Sequence, residues 1–377
     1  MVKTGRPGGE RSLIESIRRR AAGRDTRRGS TSEVRLGIGD DCALIRPRAG
    51  EELAITTDFT LENVHFRRDW HPPESVGHRC LARGLSDLAA MGARPVAALL
   101  SLAVPRELTL ASGKTRSWVD RFLDGFLALA AEHRVTLIGG DTAQSAASGP
   151  GNEGLVHADV VLLGGVKRGR ALLRSGASAG DILYVTASPA TAQGAARGKP
   201  TYPAATAAAD RGGLGGSAAE LLALRHDPQA FQRLIRTAPD HPHLYPHPRV
   251  AAGIALLRLA TAAIDLSDGL STDLGHLCEE SRLSAELDAI PIHPLARHAE
   301  TAGITPSALD LALHGGEDYE LLFTASSGTA IPAKIAGVAI HRIGEMKPRR
   351  RGVPMLRVRD RGRLVPLQPK GWEHFTS

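Results

Sequence analysis

The chain has 377 residues, a formal charge of +7, 42% hydrophobic and 4% aromatic residues, enough for about two ordinary domains with real cores. No stretch approaches the roughly 20 apolar residues of a membrane span, and the Arg clusters near the N-terminus lack the apolar segment of a secretory signal, so the expected compartment is the cytoplasm. The charge is uneven: residues 1–35 hold ten Lys/Arg against four acids, residues 342–370 hold ten against two, and the middle is acidic. Basic ends of this kind read as solvated tails, so no membrane and no specific nucleic-acid partner is expected. Cys42, Cys80 and Cys278 lie far apart, without the spacing of a zinc site or a disulfide framework, and are read as reduced.

In chain order, residues 1–33 form a basic, flexible extension around one short apolar helix near Leu13 to Ile17. From Val34, short apolar runs bounded by glycines or acids predict strands at "VRLGI", "ELAITTDF", "VAALLSLAV", "VTLIGGD" and "HADVVLLGGV". Helical patterns lie between them at about 74–92 and 112–133, which makes residues 34–167 an α/β or α+β domain. A second domain, 168–377, contains "DILYVT" as a strand, an Ala/Gly/Pro-rich stretch at about 190–217, and a helix near 218–236. There follow the histidine-rich "APDHPHLYPHPRV", a helix at 249–259, "TAAIDL" as a strand, "SDGLSTDLGHLCEES" as a helix, and "SAELDAI" and "EDYELLFTA" as strands. The prolines around His241, His243 and His247 favour a loop over a metal site.

Two nucleotide signatures fail. "GIGDDC" has Cys42 where a dinucleotide fingerprint needs its third glycine, and "SGKT" lacks the glycine five positions before Gly113 that a P-loop needs. Instead, aspartates recur at the ends of strand-like runs: Asp40 and Asp41, Asp58, Asp141, Asp265 and Asp268, with Asp87 on a helix in "LSDLAAMG". Any one of these acids reads equally well as a helix cap or turn former. Carboxylates gathered at one rim repel one another unless cations sit among them. Hard oxygen ligands in number suit Mg²⁺, which completes its shell with water and substrate phosphates. Glycines beside the acids let backbone approach closely. The pattern points to phosphoryl transfer, in which the protein mainly positions reactants and neutralises charge. No Ser-His-Asp order or reactive cysteine offers a covalent nucleophile, and His65 in "ENVHF" reads as a substrate contact.

"LGIGDDCAL", "LAITTDFTLENVHF", "LSDLAAMGARP", "LIGGDT", "LLRSGASAGD", "AIDLSDGLSTDLGH", "HGGEDYELLFT" and "KGWEHF" together resemble the thiamine-monophosphate kinase family of the aminoimidazole-ribonucleotide-synthetase-like superfamily, in the family's order across about 34–377. The resemblance implies a two-domain α/β (α+β) fold whose N-terminal sheet pairs across a homodimer. It implies transfer of the γ-phosphoryl of ATP to thiamine monophosphate with several Mg²⁺ ions. By motif position, Asp41, Thr56, Thr57, Asp58, Asp87, Asp141, Asp265 and Asp268 are implied metal ligands, with Asp40 behind them. Gly140, Asp141, Arg174 and Ser267 are implied nucleotide contacts, and His65, Glu317 and Trp372 implied thiamine-monophosphate contacts, an acid and a stacking aromatic suiting a cationic thiazolium. Two positions depart from relatives: Gly84 stands where Asn is common, and His133 where an aromatic often meets adenine. A sister activity, selenophosphate synthesis, is disfavoured because no cysteine precedes "LGIGDD". A non-catalytic polyanion-binding protein that uses the basic ends is disfavoured by the acidic middle.

Overall fold

The computed structural model describes residues 10–22, 33–111, 116–146, 154–187, 212–227 and 241–373. Their contacts form two compact units: one of the described residues up to Leu88 with Arg94–Arg168, the other of Ala89–Ala93 with the described residues from Gly169 onward.

The first unit contains α1 (Glu10–Ala22), β1 (Val34–Leu36), β2 (Leu44–Ile45), β3 (Glu51–Leu61), α2 (Pro73–Ala90), β4 (Arg94–Val104), α3 (Trp118–Glu132), β5 (Thr136–Gln144) and β6 (His157–Lys167). Its main sheet runs β3-β6-β4-β5, so β3 and β5 are the two edges. β4 and β5 are parallel and the other neighbours antiparallel. Strand side chains alternate, and one face, carrying Leu100, Leu102, Val160 and Leu162, is buried. Leu162 on this face lies beneath Gly84 of α2. The other face leaves Leu53, Ile55 and Phe59 of β3 exposed at 41%, 63% and 63%.

α3 starts at Trp118, where the Ser117 hydroxyl accepts the Asp120 N–H at 3.0 Å. Residues 112–115 of the expected helix lie outside the described residues. α2 and α3 meet through glycine: a Cβ on Gly77 would lie 1.9 Å from the Phe122 carbonyl oxygen, and one on Gly125 would lie 1.8 Å from that of Glu74. Residues 10–22, inside the expected flexible extension, form a helix fastened to α3, with Arg20 donating to Asp120 at 2.9 Å and to Asp124 at 2.6 Å.

The second unit contains β7 (Ile182–Thr186), α4 (Gly216–His226), α5 (Val250–Leu256), β8 (Ala262–Asp265), α6 (Leu270–Ser281), β9 (Leu283–Leu287), α7 (Pro294–Thr301), α8 (Ala308–His314), β10 (Leu321–Ala325), β11 (Lys334–Ile335), β12 (Val338–Pro348), β13 (Leu356–Asp360) and β14 (Arg363–Pro366). Its sheet runs β14-β13-β9-β12-β7-β10-β8, with β11 paired to β12. Leu183, Val185, Ile264 and Leu322 of the sheet and Leu270, Leu274 and Leu277 of α6 share one core. The strand expected at "EDYELLFTA" begins only at Leu321. Glu317 and Tyr319 have φ of +63° and +50° and cannot continue a strand. The rest of the expected helix at 218–236 beyond Asp227, and most of 190–217, lie outside the described residues.

Alanine normally improves a helix interior by about 1 kcal/mol over glycine. Gly77→Ala and Gly125→Ala should nevertheless lower the melting temperature, each costing roughly 1–3 kcal/mol by overpacking. A thermal melt at or above the parental value in both variants contradicts this crossing.

Candidate active site

The expected aspartates do not form one rim in the first unit. Asp58 and Asp141 lie within strands, on opposite edges of the sheet. Three inter-strand spacings separate those edges, about 14 Å. Alternation divides them further. Asp58 is level with Val160 and Leu100, on the buried face, whereas Asp141 is level with Ser101 and Asp159, on the opposite one.

Thr56 and Asp58 therefore share the face toward α2, and the Thr56 hydroxyl donates to Asp87 of that helix. A Cβ on Gly84 would lie 3.3 Å from Thr56 Cγ2 and 3.6 Å from Asp58 Oδ2, with Leu162 Cδ1 at 3.0 Å. Two methyl groups thus close on the space beside Gly84. Thr57 points the other way, and its hydroxyl donates to Asp159 at 2.7 Å. Its side chain does not join Asp58 and Asp87, because neighbouring strand residues alternate. His65 is held in the turn after β3, its Nδ1 accepting the Leu61 N–H at 3.0 Å.

Gly140, Asp141 and the "GIGDD" loop lie at the β5 edge. A Cβ on Gly37 would meet Ile138 Cα at 3.9 Å, and one on Gly39 would lie 2.7 Å from Arg18 Nη2, so an α1 guanidinium rests on the loop. Gly140 requires glycine: its φ is +145° and a Cβ would lie 1.8 Å from the Leu100 carbonyl oxygen. Asp40 and Asp41 are exposed beside one another. Thr142, next to Asp141, has a buried hydroxyl without a hydrogen-bond partner among the described residues. His133 caps the end of α3.

In the second unit, the loop from β8 to α6 gathers most of the expected residues. The Glu317 N–H donates to the Ser267 carbonyl at 2.8 Å, Tyr319 N–H to Leu266 at 2.9 Å, and Trp372 N–H to Asp268 at 3.0 Å. Asp265 is buried, and Trp372 is 52% exposed. Arg174 stands apart: its carbonyl accepts from Ser281 Oγ at 2.6 Å, at the far end of α6 and about 18 Å of helix from Ser267.

Asp273, in the first turn of α6, was not singled out in the sequence. Its Oδ2 accepts the Asp268 and Gly269 N–H groups at 3.1 and 3.0 Å. Burial pushes its carboxyl up to about 8, with the nearby charges of Asp265 and Asp268 adding to the effect. Asp318 is likewise raised by burial, to about 7, although it accepts the Gly215 N–H at 2.7 Å. Both acids lie inside quoted motifs, and only burial, which no local pattern shows, marks them. Among the described residues, no three His, Cys, Asp or Glu side chains gather closely enough to bind a metal by themselves.

Residues 39–165 match the family described as AIR synthase related protein, N-terminal domain, which defines the class of fold. The chain is 36% identical over 360 residues to the thiamine-monophosphate kinase of Escherichia coli (strain K12), covering 94% of this chain and 96% of that protein. It is 32% identical over 352 residues to that of Bacillus subtilis (strain 168), covering 91% and 94%. The solved structure described as AaThiL complexed with AMPPCP and TMP aligns with a TM-score of 0.66 at 28% identity, covering 99% of this chain and 100% of that one. This chain belongs to the thiamine-monophosphate kinase family.

Proposed function

We propose that the chain transfers the γ-phosphoryl group of ATP to the phosphate of thiamine monophosphate, giving thiamine diphosphate and ADP. Family membership supports the reaction. The observation that carries it to particular residues is the 266–268 backbone, which holds Glu317 and Trp372 beside Ser267 and Asp268. An exposed indole and a carboxylate fixed to one loop suit a cationic aromatic acceptor. ATP as donor supports a cytoplasmic reaction.

The donor set fits Mg²⁺. It consists of hard carboxylate and hydroxyl oxygens, and Asp265 and Asp268 stand close enough to Asp273 for their charges to add to the effect of its burial. Mg²⁺ needs only one or two protein carboxylates, with waters and phosphate oxygens completing its shell. Small groups of acids are therefore sufficient. Asp58, Asp87 and Thr56 would hold it on the α2 side, Asp41 and Asp141 at the β5 edge, Asp265 and Asp268 in the second unit, and Thr57 through its backbone. Bound there, Mg²⁺ would supply neutralisation of the phosphate charge during transfer. Within the first unit, Gly140 offers close backbone approach to a phosphate and His65 a polar contact to the acceptor; within the second, Ser267 and Arg174 each offer polar contacts to a nucleotide, and Glu317 and Trp372 offer contacts to the acceptor. Direct in-line transfer needs no protein nucleophile.

Purified protein with Mg-ATP and thiamine monophosphate should form thiamine diphosphate; none under metal-replete conditions ends the proposal. Asp58→Asn and Asp87→Asn should each lower kcat at least about 100-fold, the scale for losing charge stabilisation in the transition state, with circular dichroism unchanged. Parental turnover in both removes these residues from metal binding.

A homodimer is part of the same reading. It is supported by the exposed Leu53, Ile55 and Phe59 on an 11-residue edge strand, apolar surface that favours burial against a second copy. Ile55→Lys combined with Phe59→Lys should halve the mass measured by light scattering. A parental protein already monomeric at micromolar concentration refutes the dimer.

A further inference from the structure

The histidine- and proline-rich stretch at 241–249 has no part in the reading above. In the structure it is a strap anchored at both ends. His241 Nδ1 lies 2.7 Å from Glu220 Oε1, and the His243 N–H donates to Glu220 Oε2 at 2.6 Å. At the other end Arg249 donates from Nε to Glu320 at 2.8 Å. Pro242, Pro246 and Pro248 fix φ between these anchors. The His243 side chain is buried, with Nδ1 3.1 Å from Ser217 Oγ and 3.4 Å from Glu317 Oε2.

We propose that His243 is a positioning residue for Glu317, holding its carboxylate in the orientation that receives the acceptor's cationic ring. The proposal rests on the reading of Glu317 as an acceptor contact. Glu317 has a left-handed backbone at φ +63°, which costs an L residue about 1 kcal/mol or more and persists only where surroundings impose it. Its N–H is held by Ser267, so the backbone fixes where the side chain starts. The torsions beyond Cβ still have to be set, and an unrestrained carboxylate loses rotamer freedom whenever a ligand binds.

The imidazole sets them in advance. With its proton on Nδ1, the ring would present a buried donor to Glu317 Oε2, with the Ser217 hydroxyl on the same nitrogen. Ser217 is itself fixed, because it lies in the first turn of α4, where Asp318 accepts the N–H groups of Gly215 at 2.7 Å and of Ser217 at 3.4 Å. Glu220, the strap's anchor, lies one turn further along the same helix face. Ser217, Glu220, His243 and Glu317 thus form one packed unit: His243 touches the proposed acceptor contact and lies behind it.

Steady-state kinetics test this with His243→Leu, His243→Asn, Glu317→Gln and the double variant His243→Leu/Glu317→Gln. Asn carries an amide nitrogen near the position of Nδ1. His243→Leu should raise KM for thiamine monophosphate about tenfold, with KM for ATP unchanged and kcat within about threefold, and His243→Asn should recover most of the loss. The double variant should match Glu317→Gln alone, as expected when one residue acts through the other. A parental KM in His243→Leu, or losses that multiply in the double variant, overturn the proposal while leaving Glu317 as an acceptor contact. A parental KM in Glu317→Gln overturns that contact and the proposal with it. Should His243→Leu fail to fold, Ser217→Ala carries the test: a rise in the same KM alone supports the proposal, and parental kinetics overturn it.

Discussion

The arrangement of the second unit depends on the main chain between Leu266 and Gly269. Four hydrogen bonds tie this short turn to two distant parts of the chain: Leu266 N–H to Glu320, and Tyr319, Glu317 and Trp372 N–H to Leu266, Ser267 and Asp268. A fifth and sixth come from Asp273, which accepts at Asp268 and Gly269. Backbone groups cannot reorient independently as side chains do, so an acid at Glu317 and an indole at Trp372 are placed by the fold itself. The cost is visible in the left-handed backbone at Glu317 and Tyr319 and in a buried carboxyl at Asp273 raised to about 8. Backbone strain and perturbed carboxyls of this sort cluster at functional sites.

The first unit uses a different device. A strand presents successive residues to opposite faces, so Thr56 and Asp58 meet α2 while Thr57 meets Asp159. α2 and α3 cross closely at Gly77 and Gly125, and α2 brings Asp87 to the hydroxyl of Thr56. Under the proposed metal-assisted transfer, such fixed oxygens matter more than a reactive side chain.

Much of this was legible in the sequence. The runs "ELAITTDF", "VAALLSLAV" and "HADVVLLGGV" are strands in the structure, because apolar β-branched periodicity and its glycine punctuation are local properties. The grouping of the aspartates was not legible. Asp58 and Asp141 both follow apolar runs, but strand order puts them on opposite edges, and order is a property of the whole sheet. Arg174 shows the same effect, since only the fold puts it at the Ser281 end of α6. His243 reads as a loop residue because its partners, Ser217, Glu220 and Glu317, lie 26, 23 and 74 positions away.

The main chain of the β8–α6 turn positions Glu317 and Trp372, the residues proposed as acceptor contacts. Gly371 tests it most directly: a Cβ there would lie 2.0 Å from the Asp268 carbonyl oxygen, so Gly371→Ala must displace the Trp372 N–H from its acceptor while leaving the indole in place in the sequence. The measurement is KM for thiamine monophosphate in Gly371→Ala. It should rise about tenfold, the scale of losing a cation–π contact, with KM for ATP and the melting temperature near parental. A parental KM for thiamine monophosphate contradicts it.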